Sequence, residues 1–572
     1  MKKYSQLYTV YKDKMNTAAP WNEYPRQRLI RNSFMSLNGE WDFAVAGKDI
    51  PEVFDEKILV PFPPESALSG ICREIKRGKR LYYKRSFTLP DGFLRDRLIL
   101  HFGAVDQIAE VYLNGEFVIC HEGGYLPFCA DITDLICEGE NTVLVKVTDD
   151  LSHDYPYGKQ RRRRGGMWYT PVSGIWQTVW LESVPKSYIE EIKITSNMHF
   201  ATIKILGGED KKRLTLKDGK VYEFTGEEIT IEPDVITLWS PDTPYIYDFT
   251  LESGEDSVKS YFALREIGVK EVNGIPRLTL NGKPYLFNGL LDQGYFPDGI
   301  YLPATSDGYR DDILLAKRLG FNTLRKHIKV EPDIFYTLCD RLGMIVFQDM
   351  VNNSGYSFIF DTALPTIGMK RFPDRLLHRK KRSREIFKKH MIDEILYLDS
   401  HPSVLYYTLF NEGWGQFRAD EMYAWAKAAA PDKIIDSTSG WFWQSNSDVD
   451  SRHVYFKPIK VDAPPTRPLV ISEFGGYSHR VKGHLFGDAN YGYSVCKTPE
   501  ELYLAIEKLY LVEVKEAIEK GASGFIYTEL SDIEDETNGF VTYDRRKVKL
   551  DTTKAKAMMD ELSAIVDELS VD

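Results

Sequence analysis

Nowhere in the 572 residues do about 18 consecutive apolar residues occur, so the sequence predicts no membrane-spanning helix. The amino terminus, MKKYSQLYTVYKDKMN, has no apolar run behind its opening lysines, which predicts no secretory leader. Cysteine is scarce. The six (Cys72, Cys120, Cys129, Cys137, Cys339 and Cys496) include no CxxC pair and are too few for a disulfide scaffold of this size. Reduced thiols and a cytoplasmic location are the expectation. Positive charge is in deficit: 73 Lys and Arg against 84 Asp and Glu leave a net charge of −11, which would repel a nucleic acid. Motifs for bound groups are missing too. There is no GxxxxGK[ST] loop, no GxGxxG after a strand, and HEGGY at His121 lacks the second His of a metalloprotease helix. Nothing therefore calls for a metal, a nucleotide or another cofactor.

What is present is ordinary globular material, 43% hydrophobic and 27% charged, long enough for three or four domains at about 100 to 200 residues each. Aromatic residues reach 13%, with 34 Tyr and 10 Trp. Such rings suit sugar-binding surfaces, and a large β-core accounts for them equally well. From about Leu37 to Leu181, segments such as KRSFTLP, RLILHFGAVD, IAEVYLNGEFV and NTVLVKVTD alternate with period two between turns such as Asn114-Gly115, predicting a β-sandwich. Tyr188 to about Ile267 repeats the texture over a length that suits a small immunoglobulin-like sandwich. Seams are expected at Pro185-Lys186 and from Ile267 to Pro276.

Beyond about Gly274, strands alternate with helical periods, the pattern of parallel βαβ units. Eight strand candidates begin at Tyr285, Asn322, Met344, Val404, Ile434, His453, Leu469 and Ala522, with helical segments such as DGYRDDILLAKRLG and PDIFYTLCDRLG between them. A (β/α)8 barrel is the natural closure, although the fifth and sixth units carry no convincing helix. The expected fold is thus multidomain: a jelly-roll β-sandwich over 1–184, an immunoglobulin-like sandwich over 185–270, and a TIM barrel over 271–572.

In such a barrel the chemistry sits where strands end, and two apolar runs end on glutamate. SVLYYTLFNEGWG stops at Asn411-Glu412 and PLVISEFGG at Glu473. Two carboxylates facing each other across a barrel mouth can serve as acid and nucleophile in glycoside cleavage. A Glu after a strand often caps a helix or pairs with a barrel Arg instead.

The segments NEGWG and ISEFGG resemble the acid/base and nucleophile segments of glycoside hydrolase family 2, the β-galactosidase and β-glucuronidase group. LNGEWDF, GAVDQIAEVYLNGEFV and SGIWQTVWLE are similar to its sugar-binding jelly roll, LWSPDTPYIYDFTL and YFALREIG to its immunoglobulin-like domain, and NGKPYLFNGL to the opening of its barrel. The resemblance implies Glu412 as general acid/base, Glu473 as nucleophile, and Asn411 on the sugar 2-hydroxyl, in a retaining exo-β-glycosidase. Supporting residues follow at other strand ends. Arg325 and His327 end the second strand and Tyr455 the sixth; each has a plain structural alternative, a barrel salt bridge for Arg325 and core packing for Tyr455. Trp414 follows Glu412, Trp441 and Trp443 follow the fifth strand as a sugar platform or loop packing, and Asp292 and Glu529 point toward the mouth.

Departures bear on the sugar. An Asn-x-Lys element that glucuronidases of the family carry late in the barrel is missing after Glu473, and Gly165-Gly166 stand where larger galactosidases present an aspartate. The run Arg161 to Arg164 is either a solvated loop or an anion clamp for an acidic sugar or aglycone. The expected partner is a carbohydrate or glycoconjugate, with a β-galactoside read first and a β-uronide second; homo-oligomerisation stays open, and a non-catalytic sugar-binding protein on the same fold is the rival class.

Overall fold

The computed structural model describes residues 6–366, 368–369 and 373–569. Period-two alternation becomes burial in the amino-terminal sandwich. In Glu140–Thr148 the side chains of Val143, Val145 and Val147 point inward, and this strand pairs antiparallel with Arg80–Thr88 and Ile108–Leu113 inside a six-stranded sheet. Asn114 and Gly115 both adopt positive φ in the two-residue turn from Ile108–Leu113 to Glu116–Glu122, the conformation an Asn-Gly hairpin supplies. A four-stranded sheet built on Arg97–Phe102 and Val179–Val184 covers the other side of the core. A second sandwich packs the sheet of Ile189–Ser196, Ala201–Gly207 and Glu228–Ile231 on the sheet of Lys211–Leu216, Val221–Thr225, Tyr247–Ser253 and Asp256–Phe262.

The stretch Ile267 to Pro276 is no loose seam. It forms most of an antiparallel hairpin, Ile267–Val272 with Ile275–Leu280, and Leu278 and Leu280 join Phe287, Leu291 and Ile345 in one apolar cluster under the barrel. The barrel follows: eight parallel strands, Phe287–Asp292, Thr323–Lys326, Ile345–Asp349, Val404–Thr408, Ile434–Asp436, Asp450–Val454, Leu469–Gly475 and Ala522–Thr528. The ladder runs from the fifth strand through the first and eighth to the sixth, and among the described residues no backbone ladder joins the fifth to the sixth. Side chains bridge that gap instead, with Ser451 Oγ 3.3 Å from Ser439 Oγ and 2.7 Å from Ser472 Oγ. Among the described residues no helix lies between 436 and 450 or between 454 and 469, so these are the two units whose sequence carried no helical period. No described helix is long and apolar enough to cross a membrane.

One loop of the first sandwich lies over the barrel mouth. Tyr157 donates through its backbone N to Asn352 O (3.0 Å) and through its hydroxyl to Ser354 O (2.8 Å), and Thr170 N donates to Glu534 Oε1 (2.8 Å). The largest apolar cluster accordingly runs from Trp168, Tyr169 and Trp176 into Tyr295 and Tyr301 of the barrel. The mouth is therefore walled by two domains.

Candidate active site

The fourth strand releases its chain just before Asn411, and the next residue is held in place by backbone. Glu412 N donates to Ser439 O (2.9 Å), and Glu412 takes φ of +54°, a conformation that costs a non-glycine residue energy unless its surroundings impose it. Gly413 follows at φ +73°, where a Cβ would sit 2.2 Å from the Phe442 ring. The glycine of NEGWG is thus required by close approach. Glu473 lies within the seventh strand, so its backbone is fixed by the sheet itself.

These two carboxylates meet at His453. Its Nδ1 is 2.8 Å from Glu412 Oε1 and 3.5 Å from Glu473 Oε2, and an oxygen of each glutamate and a nitrogen of this imidazole all lie within 4.8 Å of one another. The other ring nitrogen is 2.7 Å from Ser439 Oγ, part of the serine cluster that closes the barrel. Among the described residues this trio is the one set of three or more His, Cys, Asp or Glu donors close enough to hold a cation. The guanidinium of Arg325, 3.1 Å from Glu473, would repel one there.

Glu473 is the more confined of the pair. Arg325 Nη1 donates to its Oε1, and Tyr455 donates its hydroxyl to Oε2 at 2.7 Å. Burial alone would raise its pKa, but His453, Arg325, His327 and Lys159 outweigh that and pull it down to about 2. His327 is itself held to about 4, chiefly by burial, so at neutral pH Arg325 is the permanent cation beside Glu473. Arg325 is buried and engaged through all three nitrogens: its Nε donates to Asp349 (2.9 Å), its Nη1 also to Ser472 O (2.8 Å), and its Nη2 to Asn411 Oδ1 (3.0 Å). Asp349 also takes His327 Nδ1 at 2.6 Å. The salt bridges of Arg325 thus also set a fixed positive charge beside Glu473.

Above Glu412 opens a cavity of about 690 Å³, and His453, Tyr455 and Trp441 also face it. The tertiary structure places four sequence candidates off the cavity wall. Asp292 is buried and ion-paired with Lys326 Nζ at 2.6 Å, because the second strand sets that ammonium beside it. Trp414 is buried under the cavity, edge-on to Trp168 and Tyr157. Trp443 turns its indole away to donate to Ser451 O (3.1 Å), so of the expected tryptophan platform Trp441 alone reaches the cavity. Glu529 is fully buried and accepts from Gln293 Nε2 (2.8 Å); burial and the facing Glu536 push its carboxyl well above the usual range. Arg161 to Arg164 do not act as one clamp. Arg161 lies over the Trp168 ring on the cavity wall, Arg162 donates to Ile75 O, and Arg164 reaches toward Glu534.

Sequence reasoning missed His453. A signal existed, because residues two apart on a strand share a face, and Tyr455 had been singled out on that same strand. Lys159, Trp168, Tyr356 and Tyr493 were missed as well, and no local pattern marks them, since they arrive at the mouth from three separate loops.

Three comparisons bear on this architecture. Residues 73–185 match the sugar-binding domain of the glycosyl hydrolases family 2, and residues 271–479 match that family's TIM barrel domain, together more than half of the chain. The β-galactosidase of Pseudoalteromonas haloplanktis is 24% identical over 521 residues, covering 77% of this chain and 47% of that protein. The chain spans about half the length of such curated relatives. Among solved structures, the β-D-glucuronidase of Dictyoglomus thermophilum superposes with a TM-score of 0.74 at 18% identity, over 94% of this chain and 98% of that one. The galacturonate-bound β-galacturonidase of Eisenbergiella tayi gives 0.68 at 18%, over 93% and 98%. With both sandwich and barrel matched, the chain belongs to glycoside hydrolase family 2.

Proposed function

We propose that this chain is a retaining exo-β-glycosidase with Glu473 as nucleophile and Glu412 as general acid/base. The observation that carries the reading is the pair of carboxylates within 4.8 Å across one mouth, a separation suited to the retaining mechanism, whose carboxyl groups stand about 5 to 5.5 Å apart. Glu473 attacks the anomeric carbon as the glycosidic bond breaks, and Glu412 gives its proton to the departing oxygen. Glu412 then takes a proton from water, which displaces Glu473 and restores the configuration. Asn411 accepts from Arg325 through Oδ1, which leaves its amide hydrogens to donate to the sugar 2-hydroxyl.

For the sugar we read a neutral β-galactoside first. Curated relatives carry the name β-galactosidase, and the loop after the eighth strand already holds Glu529 against Glu536, too crowded for both to ionise. A further carboxylate there would be repelled. One observation favours the second reading, a β-uronide: Lys159, half-buried in the loop of the first sandwich, acts electrostatically on both Glu473 and Glu536, and among the described residues no ion-pair partner of its ammonium lies within 4.0 Å. A panel of aryl β-glycosides (galactoside, glucuronide, galacturonide, glucoside, mannoside, fucoside, xyloside), with proton NMR of the first-formed anomer, tests both levels. A β-anomer as initial product is expected; an α-anomer would sink the retaining assignment. A preferred uronide whose advantage is lost in Lys159→Met would replace the galactoside reading by the second.

A further inference from the structure

The cavity over Glu412 has a composition that the sugar alone does not explain. Its wall carries the rings of Trp168, Tyr356, Phe358, Trp441, Phe456 and Tyr493, brought from the first sandwich and from four separate barrel segments. Two of these rings stand out into solvent, Phe358 at 67% and Phe456 at 82% relative exposure. Isolated exposed rings are ordinary, but here both border one cavity that ends on a catalytic carboxylate. Phe456 is held in this position at φ +58°, uncommon for a bulky residue, with its ring edge-on to Tyr493 at 5.0 Å, while Tyr493 stacks on Tyr455 at 3.9 Å. The apolar rim is thus tied through two ring contacts to a residue that donates to Glu473.

The polar side of the wall is equally informative. A second sugar needs planar donor and acceptor groups for its hydroxyls in addition to a ring to lie on. Among the described residues, Glu412 is the one carboxylate lining the cavity, and no Asn, Asp or Gln lines it. Its cations, Arg161 and Lys457, donate but cannot accept.

We infer that the leaving-group side of this site takes a flat, apolar aglycone, an aryl or fused-ring system, in preference to a second sugar. The inference rests on the glycosidase reading above. The rings of Phe358 and Phe456 hold the aglycone's faces, and Glu412 reaches the bridging oxygen from below.

The test uses leaving alcohols of similar acidity, so that reactivity does not imitate recognition. The 2-naphthylmethyl, benzyl and methyl β-glycosides of the best sugar are compared with a disaccharide of the same sugar. Expected is a kcat/KM order of naphthylmethyl, benzyl, then disaccharide, with Phe358→Ala and Phe456→Ala each lowering the naphthylmethyl value about tenfold, mainly through KM. Ile359→Ala, an exposed neighbour that does not line the cavity, should change nothing. A disaccharide cleaved as well as the naphthylmethyl glycoside, or two Phe variants that keep the wild-type naphthylmethyl value, would overturn the inference while leaving the glycosidase reading intact. If no β-glycoside is cleaved, the glycosidase reading fails, and calorimetric titration decides the inference separately: naphthylmethyl glycoside binding that weakens in both Phe variants upholds it, and equal affinity for the disaccharide rejects it.

Discussion

Glu412 and Glu473 are the same residue type at two strand ends of one barrel, yet the protein treats them oppositely. Glu473 sits inside a strand, its side chain 7% exposed, with a guanidinium on one oxygen and a phenol on the other. Glu412 sits just past a strand in a strained backbone conformation, 20% exposed, and among the described residues its side chain meets His453 alone. The difference matches what the two proposed roles demand. A nucleophile must stay ionised and still, so fixed charge and sheet backbone serve it. An acid/base must gain and lose a proton within one turnover, so it stands clear of the permanent cation.

The comparison breaks first on its rigid side. Glu473→Ala should lower turnover of every substrate by at least about four orders of magnitude, measured with a dinitrophenyl glycoside, because no other group supplies the covalent step. Glu412→Ala should cost about 10² to 10⁴ on glycosides with poor leaving groups and little on glycosylation from a dinitrophenyl substrate, which needs no proton. Added azide should then speed deglycosylation and give a glycosyl azide of retained configuration. An inverted glycosyl azide from Glu473→Ala would uphold its role as nucleophile, whereas a retained product from Glu473→Ala together with an inverted one from Glu412→Ala would exchange the roles.

A smaller effect sharpens the contrast. With Glu473 held to about 2, the proposed nucleophile is ionised at all ordinary working pH, so the acid limb of kcat/KM should not be its own titration. Arg325→Met removes a positive charge, which raises the Glu473 pKa, so the variant should lose more activity at pH 4 than at pH 7, and its acid limb should move upward. A loss of about tenfold to a hundredfold at neutral pH is expected. Thermal melting belongs beside the pH profile, because the variant leaves buried Asp349 without its guanidinium, and breaking a buried pair costs about 3 to 5 kcal/mol. A uniform loss across pH would reduce Arg325 to a structural bridge.

The glutamates were legible because their signal is local. An apolar run that stops on Glu, followed by Gly where the chain must turn sharply, needs only a few neighbouring residues to be recognised. Arg325 and Tyr455 were legible for the same reason, each closing its own strand. Asp292, Trp414 and Trp443 carried the same kind of signal, and local position placed them near strand ends correctly. What it could not tell was the direction of the side chain, which Lys326, Trp168 and the Ser451 carbonyl decide.

The sequence by itself determined the layout. Period-two alternation made two sandwiches, the switch to alternating strands and helices made the barrel, and the missing helical periods marked the two units that have no helix. Only the tertiary structure decided how the charges are shared. Arg325 meets Glu473 across 148 residues of chain, and Thr170 of the first sandwich meets Glu534 across 364. His453 becomes a bridge between two glutamates only once the fourth, sixth and seventh strands converge. Such contacts have no spacing in the chain to read, because closure of the barrel and docking of the sandwich set them, and there two ordinary glutamates come to lie in different electrostatic settings.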